Sequence, residues 1–152
     1  MSLSKKFVVT GGAGFIGSHM VDRLVREGHS VTIVDTLRSG FRANVNAAAS
    51  LVEADITDTK QLESVFVGAA GVFHFAAIAR TPWCIEDPIL CYQTNVMGTL
   101  NVLEAARRTG VPRVVLSSSN VVCGDFPSRN QRVFAFTDPQ ISLPYLSPPR
   151  SG

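Results

Sequence analysis

Four glycines stand between a short apolar segment and an amphipathic segment near the amino terminus. They are Gly11, Gly12, Gly14 and Gly17. Residues 7–10 are mostly β-branched and predict a strand, whereas Ile16, Met20 and Leu24 recur every fourth residue and predict a helix. Glycine lets the backbone turn tightly and approach a ligand, and the N–H groups at a helix start attract anions. The loop therefore predicts a cradle for a pyrophosphate, and a plain glycine-rich turn is the alternative.

A carboxylate follows the second strand candidate at the spacing that such a cradle requires. Residues 30–35 end in Asp35, which lies 18 residues beyond Gly17. An acidic residue there accepts a hydrogen bond from the 2′-hydroxyl of an adenosine ribose and repels a 2′-phosphate, which favours NAD over NADP. Arg38 weakens this preference, because a guanidinium accommodates the phosphate. The alternative role for Asp35 is a helix or turn cap.

Strand and helix patterns then alternate as far as residue 117. The remaining strand candidates are residues 51–56, 71–77 and 113–116, with helical patterns around Leu62 and across residues 83–108. The residues expected on the buried side of the second of these helices are Val96, Leu100, Leu103 and Ala106. This alternation predicts an α/β fold, a doubly wound parallel sheet with helices on both faces.

The domain boundary is expected near Gly124, where the character of the chain changes. Residues 1–124 are predicted to form one dinucleotide-binding domain. Residues 125–152 contain five of the chain's eight prolines, with neither a helical period nor a convincing strand. They are predicted to form an irregular tail.

Composition excludes several classes of function. The net charge is +2 without a run of basic residues, so no nucleic acid is expected as a partner. No apolar run is long enough to span a membrane. The cysteines, Cys84, Cys91 and Cys123, are odd in number and form no CxxC pair. They predict a cytoplasmic protein without a disulfide framework or a metal site.

Two polar features on predicted strands have competing interpretations. His74 lies within an apolar strand, and a lone buried histidine is more often a hydrogen-bonded core residue than a catalyst. The serines at 117–119 follow the last strand, at the edge of the sheet where ligands bind in open α/β folds. A polar loop is the alternative for these serines.

Five segments resemble, in order, the motifs of the extended short-chain dehydrogenase/reductase family. They are TGGAGFIGS at 10–18, DTLRSG at 35–40, ADI at 54–56, FHFAA at 73–77 and TNVMGT at 94–99. Within this family, residues 6–124 are similar to the NAD-dependent nucleotide-sugar epimerases and dehydratases. The resemblance implies a Rossmann-type NAD-binding fold, a nucleotide-sugar substrate and a homodimer that packs helices into a four-helix bundle.

The resemblance also implies a role for each matched position. The backbone groups of Phe15 and Ile16 would contact the pyrophosphate of NAD, Asp35 its adenosine ribose, and Asp55 and Ile56 its adenine. The other positions implied to contact NAD are Gly11, Gly14, Gly17, Arg38, Ser39, Phe75, Ala76, Ala77, Ala79, Asn95 and Ser117. Ser119 matches the catalytic Ser or Thr that hydrogen-bonds the reacting sugar hydroxyl. Cys123 stands where the family usually has tyrosine.

The chain departs from the family at the catalytic Tyr-x-x-x-Lys motif. Tyr145 lies near the expected tyrosine position, but Pro149 replaces the lysine and no lysine follows Lys60. The tyrosine acts as the base, and a neighbouring cation must lower its pKa from about 10 toward working pH. A truncated or frame-shifted enzyme without its substrate domain, incompetent alone, is therefore expected.

Several alternatives stay open from the sequence. A binding module that holds a dinucleotide without turnover is the second hypothesis, and an NADP-dependent reductase of the same family is the third. The nucleotide sugar is not specified, nor is the choice between epimerase and dehydratase. An exposed edge is expected beside the last strand, so we expect self-association through that edge or through the helical face of Tyr92, Val96 and Leu100.

Overall fold

The computed structural model describes residues 3–118 and 135–136. Its strands are β1 Lys6–Thr10, β2 Ser30–Asp35, β3 Ser50–Glu53, β4 Gly71–His74, β5 Val114–Leu116 and β6 Ala135–Phe136. Its α-helices are α1 Phe15–Arg26, α2 Thr59–Phe66, α3 Thr81–Glu86, α4 Pro88–Tyr92 and α5 Thr99–Arg108, with a 3₁₀ turn at Arg42–Asn44 and a π-helix at Gln93–Gly98. No helix in these ranges is long and apolar enough to cross a membrane.

The sheet has the order β3-β2-β1-β4-β5-β6, and its first five strands are parallel. The chain moves outward from β1 through β2 to β3, and then returns to the other side of β1 with β4 and β5. Strand order therefore reverses beside β1. In such sheets the crevice at the carboxyl ends of the two central strands binds the ligand. The predicted α/β fold with a parallel sheet is confirmed.

Both faces of the sheet are covered by apolar side chains. Val8 and Val72 belong to a cluster with α2 and α5, which contribute Phe66 and Val102. Val9 points to the other face and belongs to a second cluster with α1. Neighbouring residues of one strand thus enter opposite cores, which explains why these strands are apolar almost throughout.

The predicted helical region at 83–108 is interrupted at Asp87 and contains a π-helical stretch at Gln93–Gly98, and its buried face differs from the prediction. The buried residues are Thr94, Gly98, Val102, Ala105 and Ala106. Val96 and Leu100 are 47% and 48% exposed, so their predicted burial is wrong, whereas that of Ala106 is confirmed. Position 98 needs a small residue, because a Cβ on Gly98 would lie 2.5 Å from Cδ1 of Ile56. At this position, size rather than hydrophobicity selects the buried residue.

The prediction that the cysteines form no disulfide is wrong. Cys84 and Cys91 are bonded, and the bond joins α3 to α4. In one straight helix, residues seven apart would be separated by about 10 Å along the axis. The break at Asp87, before Pro88, brings the two Cα atoms to 5.1 Å, within the range that a disulfide spans.

The edge beside β5 also differs from the expectation. The two-residue strand β6 pairs antiparallel with β5, placing Phe136 opposite Val114 and Ala135 opposite Val115. The prediction of no strand in the tail is therefore wrong at these two residues. The apolar edge is paired there rather than exposed. The rest of the division into residues 1–124 and 125–152 stays a prediction.

Candidate functional site

Two glycines of the loop between β1 and α1 are required by close backbone packing. Gly11 has φ +71°, and a Cβ there would lie 2.6 Å from the backbone N of Ala76. A Cβ on Gly17 would overlap the carbonyl oxygen of Gly11. The first contact holds the loop against the chain leaving β4, and the second holds α1 against the loop. Any larger residue at either position displaces backbone.

Gly14 differs, because the fold itself does not require a glycine there. Its φ of −78° and ψ of 175° suit any residue. A Cβ on Gly14 would meet the carbonyl oxygen of Gly11 at 3.2 Å and no other described atom within 4 Å. The space beside Gly14 is therefore open on the side away from the loop. A side chain would fill that space.

The start of α1 is electrostatically uncompensated. Gly14 is its N-cap and provides no side-chain hydrogen bond, and the first turn contains no acidic residue. The first amides of a helix have no acceptor within the helix, and they concentrate the positive end of its dipole. Phe15 and Ile16 are 79% and 58% exposed, so their side chains do not bury this helix start in the core. A diphosphate fits such a helix start.

Asp35 is buried at the end of β2 and holds two loops in place. Its Oδ2 accepts a hydrogen bond from the N–H of Ala13 at 3.0 Å, and its Oδ1 accepts one from the N–H of Leu37 at 2.8 Å. The capping role that the sequence left open is therefore present. Each carboxylate oxygen has a second lone pair, so a ribose hydroxyl can still donate to it. The ribose role stays a prediction.

The expected adenine-binding segment is ordered by its own hydrogen bonds. The Asp55 carboxylate accepts from the backbone N–H and hydroxyl of Thr57, both at 2.9 Å. The guanidinium of Arg38 lies 4.0 Å from the other oxygen of Asp55. Ile56 is buried beneath Gly98. Arg38, the cation that weakened the expected preference for NAD, thus faces the Asp55 carboxylate. The negative charge of Asp55 makes this pair less attractive to a 2′-phosphate than an isolated guanidinium would be.

Asn95 clamps the loop that leaves β4. Its Oδ1 accepts from the N–H of Ile78 at 2.7 Å, while its Nδ2 donates to the carbonyl oxygen of the same residue at 3.0 Å. The Asn95 amide is therefore satisfied by backbone groups rather than by solvent alone. Asn95 lies in the π-helix, a conformation that is frequent at functional sites.

His74 is a buried, hydrogen-bonded residue, as the sequence predicted. Its Nδ1 lies 2.6 Å from the hydroxyl of Thr10, and its Nε2 lies 3.0 Å from the hydroxyl of Thr99. Burial lowers the pKa of the imidazole from 6.5 to about 4, so the ring is neutral at pH 7. The sequence did not identify Thr10 and Thr99 as partners. Thr10 and His74 are paired residues in the register of β1 with β4. Both are polar residues in predicted strands, which is the sequence signal that could have suggested this pairing.

Most of the predicted binding residues surround the carboxyl ends of β1, β2 and β4. Phe75 and Ala76 are half-buried, whereas Ala77, Ala79, Ser39 and Ser117 are exposed. The predicted catalytic residues, Ser119 and Tyr145, lie outside the described residues, as does Cys123. In the part of the chain that is described, no three His, Cys, Asp or Glu side chains are grouped to hold a metal ion.

The family profile, the related sequences and the solved structures that match this chain agree on one family. The profile of the NAD dependent epimerase/dehydratase family matches residues 7–148. A UDP-glucose 4-epimerase of Streptomyces lividans is 40% identical over 126 residues, and UDP-glucuronic acid decarboxylase 1 of Danio rerio is 36% identical over 121 residues. The crystal structure of Thermus thermophilus UDP-glucose 4-epimerase in complex with NAD superposes with a TM-score of 0.69 at 38% identity.

These similarities cover most of this chain and a minority of each relative. The Streptomyces and Danio proteins are matched over 81% and 80% of this chain, but over 38% and 29% of their own lengths. For the Thermus structure the shares are 75% and 37%. The chain therefore spans between 29% and 38% of the lengths of these three proteins.

Substitution of Gly14 separates cofactor binding from folding. Gly14→Val will lower the thermal unfolding midpoint only modestly, because the new Cβ meets a single atom, the Gly11 carbonyl oxygen at 3.2 Å, and valine is a poorer N-cap than glycine. The side chain will fill the space beside the helix start and weaken NAD binding by roughly a hundredfold, the loss of one or two charge-assisted hydrogen bonds. Calorimetry and circular dichroism measure the two effects.

Gly17→Ala is the matched control for this experiment. Its Cβ would overlap the Gly11 carbonyl, so it will lower the free energy of unfolding by about 3 kcal/mol, as overpacking does. Normal NAD affinity in folded Gly14→Val would show that the loop is only a turn.

The free energy of unfolding will decrease as the pH is lowered, because His74 must remain neutral in the folded state. The unfolded chain protonates this residue near pH 6.5 and the folded chain near 4, so the unfolded state binds more protons between these values. The free energy of unfolding will therefore decrease by up to about 3 kcal/mol from pH 7 to pH 4 on account of this residue.

Urea unfolding at several pH values measures this contribution. His74→Asn will reduce the pH-dependent loss, and His19→Asn, a substitution at an exposed histidine, will leave it unchanged. Equal pH dependence in both variants would contradict the assignment.

Proposed function

Because the chain belongs to the NAD-dependent epimerase/dehydratase family, we propose that it is the NAD-binding part of a nucleotide-sugar epimerase or dehydratase. The observation that carries this proposal is the helix start at Gly14, where the amides of α1 are uncapped and a Cβ would fill the adjacent space. The family's cofactor is NAD. The sugar specificity is taken from relatives that are named for UDP-glucose and UDP-glucuronic acid.

Each part of the cleft is assigned to one part of the cofactor. The amides of Phe15 and Ile16 bind the diphosphate, helped by the close approach of the glycine loop. The Asp35 carboxylate accepts hydrogen bonds from the adenosine ribose. Asp55 and Ile56 lie beside the adenine. The remaining proposed contacts come from Arg38, Ser39, Phe75, Ala76, Ala77, Ala79, Asn95 and Ser117.

When bound, NAD would supply a reversible hydride acceptor for the carbon that bears the sugar hydroxyl. The chain must hold that hydroxyl and accept its proton. We assign Ser119 to the hydrogen bond with the reacting hydroxyl. Tyr145 is the available phenol for the proton, but it lacks the lysine that keeps such a phenol reactive.

The 152-residue chain is proposed to bind NAD without efficient turnover. Pro149 stands four residues after Tyr145, where the family motif has its lysine, so this tyrosine has no motif lysine to lower its pKa. The contrasting function is a dinucleotide-binding module that performs no chemistry in any form. An NADP-dependent reductase is the other alternative, and the approach of Arg38 to Asp55 argues against it.

Two measurements distinguish these functions. Calorimetry with NAD and with NADP will show tighter binding of NAD, and the reverse order would favour the reductase. An assay of UDP-glucose and UDP-galactose interconversion will show no turnover by this chain. Turnover by a longer product of the same gene, if it encodes one, would identify the enzyme, whereas NAD binding without activity in either form would favour the binding module.

We also propose that the protein is a homodimer. Ile89, Tyr92, Val96 and Leu100 are spaced to lie on one helical face, and each is at least 47% exposed. Met97, at 41%, extends this apolar surface. A monomer rarely leaves a contiguous apolar stripe in water, and an identical stripe on a second copy would cover it. The family resemblance, with its four-helix bundle, supports the same face.

Light scattering after size-exclusion chromatography tests the dimer. At tens of micromolar, the wild-type protein will have twice the chain mass, and Val96→Asp will have the mass of one chain because a charge in the interface is costly. Val67→Asp is the control, since Val67 is 62% exposed at the end of α2, away from the stripe. A monomeric wild type would overturn the proposal.

A further inference from the structure

The hydrogen bonds around His74 form one chain with a definite direction. The hydroxyl of Thr99 lies 2.7 Å from the carbonyl oxygen of Asn95, which can only accept, so the single proton of that hydroxyl is donated there. Toward His74 the same oxygen must therefore accept. The Nε2 atom, 3.0 Å away, carries the ring proton.

The other side of the ring follows from its neutrality. A neutral imidazole with its proton on Nε2 has a lone pair on Nδ1, so Nδ1 accepts from the hydroxyl of Thr10 at 2.6 Å. The direction of donation runs from Thr10 through His74 and Thr99 to Asn95. Both ring nitrogens of His74 therefore have a hydrogen-bond partner. An apolar side chain at this position would leave the hydroxyls of Thr10 and Thr99 without this partner.

This chain of bonds joins three segments that border the cleft. Thr10 is the last residue of β1, directly before the glycine loop, and its carbonyl oxygen accepts from the N–H of Phe75 at 2.9 Å. His74 ends β4, and the loop beyond it contains Ile78. Asn95, at the far end, holds Ile78 by the two hydrogen bonds of its side chain.

We propose that His74, as the Nε2–H tautomer, is a positioning residue. It fixes Asn95 and the loop after β4 (residues 75–80, the exit loop) relative to the glycine loop. The proposal depends on the proposed function, because its consequence is a cleft already shaped for NAD before NAD arrives. Thr10, His74 and Thr99 need not touch the cofactor to do this. Loss of one link will let the exit loop and the π-helix move, and NAD binding must then restore their order.

Thr99→Val tests the link nearest Asn95. It replaces the hydroxyl with a methyl group of similar size, leaves the Nε2–H without an acceptor and will weaken NAD binding roughly tenfold, the equivalent of one neutral hydrogen bond. Thr99→Ser keeps the hydroxyl and will restore the affinity. Thr109→Val is the matched control, because Thr109 also donates to the carbonyl four residues earlier at 2.7 Å but lies at the end of α5.

Nitrogen NMR of the imidazole supplies a readout that a general loss of stability would not move. In the wild-type protein without NAD, the His74 ring will show a protonated Nε2 and an unprotonated Nδ1, and the amide of Ile78 will shift in Thr99→Val but not in Thr109→Val. The reverse tautomer would overturn the proposal, and so would unchanged NAD affinity in folded Thr99→Val. If that variant does not fold, Thr10→Val tests the other link with the same measurements.

Failure of this proposal is distinguishable from failure of the proposed function. A wild-type chain that binds no NAD would reject both, whatever the tautomer. A wild-type chain that binds NAD, together with a Thr99→Val variant that binds it equally well, would reject only the positioning role of His74.

Discussion

The contact between Gly11 and the backbone of residues 75–76 is the constraint on which the rest of the site depends. There is no room for a Cβ between these two segments, so the turn after β1 lies directly against the chain leaving β4. These are the adjacent central strands where the order of the sheet reverses. The close approach therefore places the start of α1 at the crevice where the strand order reverses, and such crevices bind ligands in open α/β sheets.

The surrounding polar groups maintain this arrangement from both sides. Asp35 holds the glycine loop through the N–H of Ala13, and Thr10 connects the same region to His74. Asn95 fixes the exit loop of β4 through Ile78. The Asp35 and Asn95 side chains bond to backbone groups and the Thr10 hydroxyl bonds to the His74 ring, so the cleft is shaped by internal hydrogen bonds. The uncapped amides of α1 remain available, which is the physical basis for assigning a diphosphate to them.

Local patterns in the sequence were sufficient for the parallel strands and for the glycine loop, because β-branched segments and glycine spacing report on neighbouring residues. Contacts between distant residues were harder to predict. The bond between His74 and Thr99 depends on where α5 packs, and the Cys84–Cys91 disulfide depends on a break at Asp87. The buried face of the π-helix was missed because the tight fit of Gly98 against Ile56 selects small residues there, whereas the prediction followed the large aliphatic ones.

We assign the diphosphate of NAD to the amides at the start of α1. Titration of NAD into the ¹⁵N-labelled chain, followed by amide NMR, tests this assignment most directly. If these amides bind the diphosphate, the amide resonances of Phe15, Ile16 and Gly17 will shift over the same range of NAD concentration as that of Gly14. The amide resonances of Arg107 and Arg108, at the distant end of α5, will not shift. Saturable NAD binding that leaves the α1 amides unchanged, or the absence of any binding, would contradict it.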